Sequence, residues 1–267
     1  MKKILHATDL GPHDAVAFAH ALRLAIDAKA KLYLLHVADR EGGDHWSQFP
    51  HVRETLGRWG LLDPRKPPQA IEAELGLHVA KVSVRASNLR QAIAQFAEKH
   101  DCDLLVLWTH DRRSPMSWLG GGAIAVDIAR SAGMQSLFLP GAASGFVDVA
   151  TGRTKLDTVL VPVDDQLDCT DALDRIEATL RLFAPDARLR RLHIGTNPPR
   201  LPTAGAREFM LRQGPVVQTI ISVAHETGAG LIAMPTAGRH GVFDALRGST
   251  TERVLREAGL PILAAPV

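Results

Sequence analysis

The feature that most constrains the fold of this 267-residue chain is an internal repeat. The apolar run at residues 3–9 ends in an aspartate and returns as residues 158–164 with the same pattern. Each run is followed by a segment with helical periodicity and then by a short basic and apolar run, at 31–37 and at 188–194. Repetition over this distance predicts two copies of one folding unit.

Further elements recur in the same order in both halves. Apolar runs such as 104–107 and 231–234 are typical of parallel strands that are covered on both faces. In the second half, Asp168 or Thr170 is expected to cap the helix that follows the apolar run 158–164. Pro215 is expected at the first position of a later helix. The remaining predicted elements are strands at 79–84, about 208–211, 136–139 and 262–265, and a helix that starts near Asn88.

Strands that alternate with helices twice over predict an α/β fold of two tandem doubly wound domains with mostly parallel sheets. We expect the domains at 1–143 and 154–267, joined by a connector at about 141–153 that is rich in Gly, Ala and Ser. The first domain carries an insertion at about 39–68 with three aromatic residues, Trp46, Phe49 and Trp59. The stretch 195–205 of the second domain is too short and Pro-rich for a good helix, so a bare loop is expected there.

The composition excludes several classes of function. A net charge of +2 with mixed acids and bases gives no reason to expect nucleic-acid binding, and no apolar run approaches membrane-spanning length. No signal-peptide pattern opens the chain, so a cytoplasmic location is expected. Cys102 and Cys169 lack CxxC spacing and are expected to be reduced thiols, and no structural metal is expected because the histidines are scattered.

A glycine-bearing loop in the second half has the composition of a phosphate site. Gly238 and Gly248 lie nine residues apart, between the apolar run 231–234 and a helix-like run, and Ser249 and Thr250 follow directly. Glycine lets backbone N–H groups approach an anion, and a helix N-terminus adds donors and a positive dipole end. The spacing is neither the Walker A pattern nor the dinucleotide fingerprint.

With the strand 159–164 ending in Asp164 and the closing strand 259–265, this loop resembles the nucleotide motif of the universal stress protein family. The resemblance covers nearly the whole chain and indicates a tandem member with a Rossmann-like fold of the adenine nucleotide alpha-hydrolase-like type. Pro235 departs from the motif, because the family usually has a glycine there. Since family members pair through their last strands, the resemblance implies that the two halves dock as an internal pseudo-dimer, and it leaves a homodimer through the closing strands open.

The resemblance also implies a site in the second half for ATP, with or without Mg, or for another adenine nucleotide. Two readings need no ligand: residues 249–252 form an S-x-x-E capping box, and the aspartate could instead cap a helix or bind a loop amide. The residues implied by the resemblance are Pro162 and Asp164 at the ribose and adenine, Met234 in the base pocket, and Gly238, Gly248, Ser249 and Thr250 at the phosphates.

The first half has lost this chemistry. When the halves are aligned, Asp111 stands opposite Gly238, and residues 121–123 stand opposite Gly248 and the two hydroxyl residues after it. A carboxylate repels a triphosphate, and Trp108 adds bulk beside the adenosine position. ATP is therefore not expected in the first half, although glycines 120–122 could still offer donors to some anion.

Three functions remain open from the sequence. The first is a stress-response protein in which the nucleotide is a regulatory ligand, because nothing supplies a convincing catalytic base or Mg-ligand pair; no catalytic residue is expected, and at most a weak ATPase. The second is a nucleotide-independent interaction module with both sites decayed and an unknown protein partner, in which the aromatic insertion is a partner surface or a cover. The third, an adenylating enzyme, lacks the SGGxDS-type loop that it would need.

Overall fold

The structure is a computed structural model that describes residues 1–38, 46–109, 128, 133–141, 143–164, 168–199, 208–236 and 250–267. The described residues of the first half form five strands and four α-helices. The strands are β1 (Lys3–Thr8), β2 (Lys31–Ala38), β3 (His78–Arg85), β4 (Leu104–Thr109) and β5 (Gln135–Pro140). The helices are α1 (Ala15–Asp27), which follows a 3-10 turn at Pro12–Asp14, α2 (Val52–Arg58), α3 (Ala70–Leu75) and α4 (Leu89–Lys99).

Within its described residues the second half repeats this order, but no helix corresponds to α2 and α3. Its strands are β6 (Thr158–Pro162), β7 (Arg188–Ile194), β8 (Met210–Arg212), β9 (Leu231–Thr236) and β10 (Ile262–Pro266). Its helices are α5 (Thr170–Phe183), α6 (Val216–Glu226) and α7 (Thr250–Glu257).

All ten strands in the described residues form one sheet, in the order β3-β2-β1-β4-β5-β10-β9-β6-β7-β8. Strands within each half pair in parallel, whereas β5 and β10 pair antiparallel, with Leu137 opposite Leu263. The two closing strands therefore join the halves across an approximate twofold axis, which is the predicted internal pseudo-dimer. In each half the chain runs outward from the first strand and then returns to its other side, so each half has a topological switch point.

The sheet is covered on both faces, as its nearly continuous apolar strands predict. One core cluster packs α1, α2 and α5 against residues such as Ile4 and Val161, and the other packs α4, α6 and α7 against residues such as Leu5 and Leu160. Successive strand residues enter opposite clusters because side chains alternate along a strand. Burying both faces in this way favours the three-layer α/β fold that was expected.

Most predicted elements are found with ends shifted by one or two residues, and three expectations need correction. The strand expected at about 208–211 is Met210–Arg212. Pro215 lies just outside α6, because its ψ of 126° is extended, and Val216 is the first helical residue. Thr170 is the first residue of α5 and not its cap; the Asp168 carboxylate accepts hydrogen bonds from its N–H (3.1 Å) and its hydroxyl (2.7 Å).

The predicted connector contains no helix in its described part, and it packs tightly onto the first half. The N–H groups of Phe146 and Val147 both donate to Nε2 of His20 in α1, at 2.9 and 3.0 Å. The Phe146 ring also stacks on Phe183 of α5, with centroids 5.4 Å apart and planes 10° apart. This segment therefore attaches the two halves to each other through an aromatic contact.

The described part of the aromatic insertion turns its rings inward. Phe49 is 1% exposed and meets Phe18 of α1 edge to face, at 5.0 Å. The Trp59 indole N–H donates to the Val149 carbonyl at 3.0 Å, so it closes over the connector. These rings pack on α1 and on the connector of their own chain.

Candidate functional site

Each half has a crevice where its first and fourth strands separate. The strands β1 and β4 pair from Ile4 opposite Leu104 to His6 opposite Val106. The strands β6 and β9 pair at Val159 and Leu160 alone among the described residues, although β9 stays paired with β10 as far as Pro266. Ligands of open α/β sheets bind outside the carboxyl ends of strands at such a switch point.

Four of the sequence-predicted site residues are described, three on β6, β9 or just after β6 and one at the start of α7. Pro162 is the last residue of β6 and is buried, and Asp164 follows two residues later with its side chain exposed. Met234 is 5% exposed in β9 and belongs to the core cluster that also contains α7. Thr250 is exposed at the first residue of α7. The carboxyl ends of β6 and β9 and the N-terminus of α7 thus lie on one side of the sheet.

The glycine-bearing part of the predicted site lies outside the described residues. This applies to Gly238, Gly248 and Ser249, and in the first half to Asp111 and residues 121–123. The helix after the loop is described from Thr250 onward and has Glu252 in its first turn. It ends before Gly259, whose φ of 62° suits a residue without a side chain.

Pro235 lies inside β9, opposite Ala265 of β10. Proline has no N–H to give to a ladder, so it belongs at a strand position whose N–H side is unpaired. The separation of β6 from β9 before this point provides such a position. The departure from the family pattern is therefore compatible with the strand, and it removes one backbone donor from this side of the crevice.

In the first crevice the chain's own groups engage one another. The Asp9 carboxylate accepts the Gly11 N–H at 2.8 Å, and the Thr8 hydroxyl accepts the Leu10 N–H at 2.8 Å. These bonds form a turn directly after β1 and hold Leu10 at a φ of 63°. The aspartate equivalent to Asp164 is thus committed to a local turn.

Aromatic stacking also occurs at this end of the first half. Trp108, near the end of β4, stacks on His13 of the 3-10 turn, with centroids 5.4 Å apart and planes 8° apart. An indole face is the kind of surface on which a base would stack. Here it is engaged by an imidazole of the same chain, which supports the expectation that ATP does not bind this half.

A buried ion pair that the sequence did not disclose lies beside the first crevice. Nε2 of His6 in β1 is 3.1 Å from Oδ2 of Asp14, and their side chains are 0% and 3% exposed. The alignment falls short of a hydrogen bond, but Nδ1 of His6 donates to the Val106 carbonyl at 3.1 Å. Burial is the largest single influence and lowers the pKa of His6, but the Asp14 carboxylate, the bond to the Val106 carbonyl and the charge of Asp9 together raise the pKa above 6.5.

Comparing the two repeats position by position could have revealed this pair from the sequence. His6 corresponds to Val161 of β6, and Asp14 corresponds to Cys169, the residue before α5. Both residues of the second half are 2% exposed, so an apolar pair fills the place that the ion pair occupies in the first half. When two polar residues of one half align with two apolar residues of the other, the two positions are expected to be in contact and to have changed together.

The described residues offer neither a metal site nor a reactive thiol. Among them, no group of three or more His, Cys, Asp or Glu residues could hold a metal ion. Neither Cys102 nor Cys169 forms a disulfide and both are buried, and burial raises the pKa of Cys102 to about 11. A protonated, buried thiol is a poor nucleophile. Within the described ranges, no helix is both long and apolar enough to cross a membrane.

The sequence profile of the universal stress protein family matches residues 1–133 and 202–266. No curated protein sequence is a significant match. Among solved structures, a protein of unknown function from Pseudomonas aeruginosa PAO1 is similar over 100% of this chain and 92% of its own, with 17% identity and a TM-score of 0.68.

Two solved universal stress proteins are similar over nearly the full length of both chains. A putative member from Pseudomonas aeruginosa UCBPP-PA14 covers 100% of this chain and 93% of its own, with 17% identity and a TM-score of 0.66. A member from Archaeoglobus fulgidus DSM 4304 covers 99% and 98%, with 15% identity and a TM-score of 0.65. At these identities the likeness establishes the two-unit fold alone.

Proposed function

Because the chain belongs to the universal stress protein family, we propose that it is a cytoplasmic stress-response protein whose second half binds ATP or a related adenine nucleotide. The nucleotide acts as a regulatory ligand that is hydrolysed slowly or not at all. The observation that carries the proposal is the difference between the two crevices. In the second half the aspartate after the first strand is exposed, whereas in the first half the equivalent aspartate is folded into a turn.

Elementary chemistry supports the assignment of the triphosphate to this crevice. The helix α7 follows the chain segment that carries Gly238, Gly248 and Ser249, and its N-terminus contributes backbone N–H donors and a positive dipole end. Anionic oxygens are stabilised at such a helix end. Asp164 follows β6 on the other side of the crevice, where a carboxylate suits the hydroxyl groups of a ribose.

A regulatory role follows from the connection between the crevice and the joint of the halves. The strand β9, which borders the crevice, is paired along its length with β10, and β10 forms the antiparallel joint with β5. A ligand that binds one arrangement of β9 more tightly than another biases the joint by that difference in affinity. The binding of a second copy of this chain, or of another protein, could then depend on nucleotide.

Titration calorimetry of nucleotide-stripped protein with Mg-ATP tests the proposal. We expect saturation near one nucleotide per chain. The variant Gly248→Val should abolish binding, because a side chain there blocks close approach of the backbone to the phosphates. The matched control is Gly121→Val at the equivalent position of the first half, which should bind normally. Absence of heat and of a thermal shift in the wild-type protein would favour the nucleotide-independent module instead.

A further inference from the structure

The same histidine–carbonyl hydrogen bond occurs in both halves, directly before the aspartate that follows the first strand. In the first half Nδ1 of His36 in β2 donates to the Thr8 carbonyl at 3.0 Å. In the second half Nδ1 of His193 in β7 donates to the Val163 carbonyl at 2.9 Å. A carbonyl oxygen only accepts, so Nδ1 carries the proton in both rings. Because the bond recurs at equivalent positions, it is a feature of the repeated folding unit and not of one half alone.

The bond extends the attachment of β6 to β7 beyond the end of the strand. Backbone pairing runs to Pro162 opposite Leu192, and the Val163 N–H then donates to the Leu192 carbonyl at 2.8 Å. The His193 side chain holds the next polar group, the Val163 carbonyl, where β6 itself has ended. His193 is 6% exposed, so water competes little for this bond.

Fixing this carbonyl also fixes the residue after it. The C=O of Val163 and the N–H of Asp164 belong to one planar trans peptide, in which they point in opposite directions. Because His193 draws the carbonyl toward β7, the N–H is directed away from β7, to the side of β6 on which β9 lies. That side is the crevice of the second half.

We propose that His193 is a positioning residue for the nucleotide site: it fixes the peptide between Val163 and Asp164 and so sets the place of Asp164 at the crevice. This inference rests on the proposed nucleotide function. His36 holds the equivalent peptide of the first half, where the Asp9 carboxylate turns back onto the Gly11 N–H. The same histidine–carbonyl hydrogen bond therefore precedes an aspartate proposed to face the ligand in the second half and an aspartate within a closed turn in the first half.

Three variants separate positioning from simple stability. His193→Phe keeps a buried ring but removes the donor, whereas His193→Asn keeps an N–H donor close to the place of Nδ1. His36→Phe is the matched control in the first half. Loss of one positioning hydrogen bond should raise the Kd for Mg-ATP roughly tenfold in His193→Phe, with recovery to within about threefold in His193→Asn and no change in His36→Phe. An equal loss in both His193 variants, or in His36→Phe, would overturn the proposal.

A ligand-free measurement distinguishes this inference from the proposed function. The amide resonance of Asp164 in NMR spectra should move in His193→Phe and stay near its wild-type position in His193→Asn. If the wild-type protein binds no Mg-ATP, the proposed function fails and this resonance alone decides whether His193 positions Asp164. An unmoved resonance in His193→Phe would refute the positioning role. Should the phenylalanine variant not fold, His193→Ala, which also lacks the donor, replaces it.

Discussion

Exchanging the buried ion pair of the first half for its counterpart in the second half gives the sharpest test of the physical reasoning. The perturbation is the pair of substitutions His6→Val and Asp14→Cys, alone and together, because Val161 and Cys169 occupy the equivalent positions. Each single variant strands one partner in the interior. The double variant restores an apolar pair that the same fold already accommodates once.

The two single variants should not cost the same. In His6→Val the Asp14 carboxylate stays buried without a counter-charge, which costs about 3–5 kcal/mol of the free energy of unfolding at pH 7. In Asp14→Cys the His6 ring can lose its proton, so the cost is that of an unsatisfied ring nitrogen, about 1–3 kcal/mol. The double variant removes both charges and should recover about 3 kcal/mol relative to the sum of the singles.

The sign of the pH dependence follows from the raised pKa of His6. A histidine whose pKa is higher in the folded state contributes stability that is fully present below the unfolded value of 6.5 and is lost as the pH rises through the folded value. The wild-type protein should therefore lose this contribution as the pH rises above 6.5. The double variant and His6→Val, which both lack the imidazole, should not show that loss.

Denaturant unfolding followed by tryptophan fluorescence is the assay, because all four tryptophans, at 46, 59, 108 and 118, lie in the first half. The signal therefore reports the half that carries the exchange even if the two halves unfold separately. A coupling free energy below about 0.5 kcal/mol, with additive losses in the double variant, would refute the interpretation that these side chains form an ion pair.

Three further predictions follow from the remaining contacts. Ser249→Ala should lower the free energy of unfolding by about 1 kcal/mol through loss of the cap of α7, and should weaken Mg-ATP binding; calorimetry and melting that match wild type would remove both roles. Burial lowers the pKa of His20 to about 4, so the contribution of His20 to the free energy of unfolding is complete above pH 6.5 and falls by about 3 kcal/mol as the pH drops to 4. Denaturation curves of His20→Leu should lack this loss of stability in acid. Gly152→Ala should cost about 2–3 kcal/mol in the same assay, because a Cβ would lie 2.3 Å from the Trp59 ring at a φ of 67°, whereas Gly228→Ala, which has a φ of 62° and open space, should cost about 1 kcal/mol.

The sequence predicted the fold because its patterns act locally and occur twice. Periods of two and of about 3.6 residues located the strands and helices, and the repeat ordered them. Pro215 was misplaced by one residue because the decisive quantity is its ψ, which composition does not reveal. That β5 would pair with β10 was implied by the family resemblance, because no periodicity within one strand specifies its partner; the antiparallel direction of the pairing was not predicted.

The candidate site was predictable only in part, for a different reason. Asp164 and Met234 could be located because each lies at the carboxyl end of a strand that the repeat identifies. The ion pair of His6 and Asp14 was missed because a histidine in a strand and an aspartate before a helix are each ordinary alone. Their meeting depends on how α1 crosses β1, which is a tertiary contact.

The two halves share their backbone supports and differ in the chemistry placed on them. Both use a histidine of the second strand to hold the carbonyl before the aspartate. In the first half Asp9 then accepts the Gly11 N–H, so the same support ends in a closed turn. In the second half Asp164 remains exposed at the crevice.

This contrast favours a division of labour within one sheet. The first half adds internal contacts at its crevice, a buried ion pair and an imidazole–indole stack. Its α1 anchors the connector through His20, and the connector in turn stacks on α5 of the second half. A half whose crevice is engaged by its own side chains is suited to serve as the fixed partner of the joint. Under the proposed function, the half with the exposed aspartate is the one that responds to a ligand.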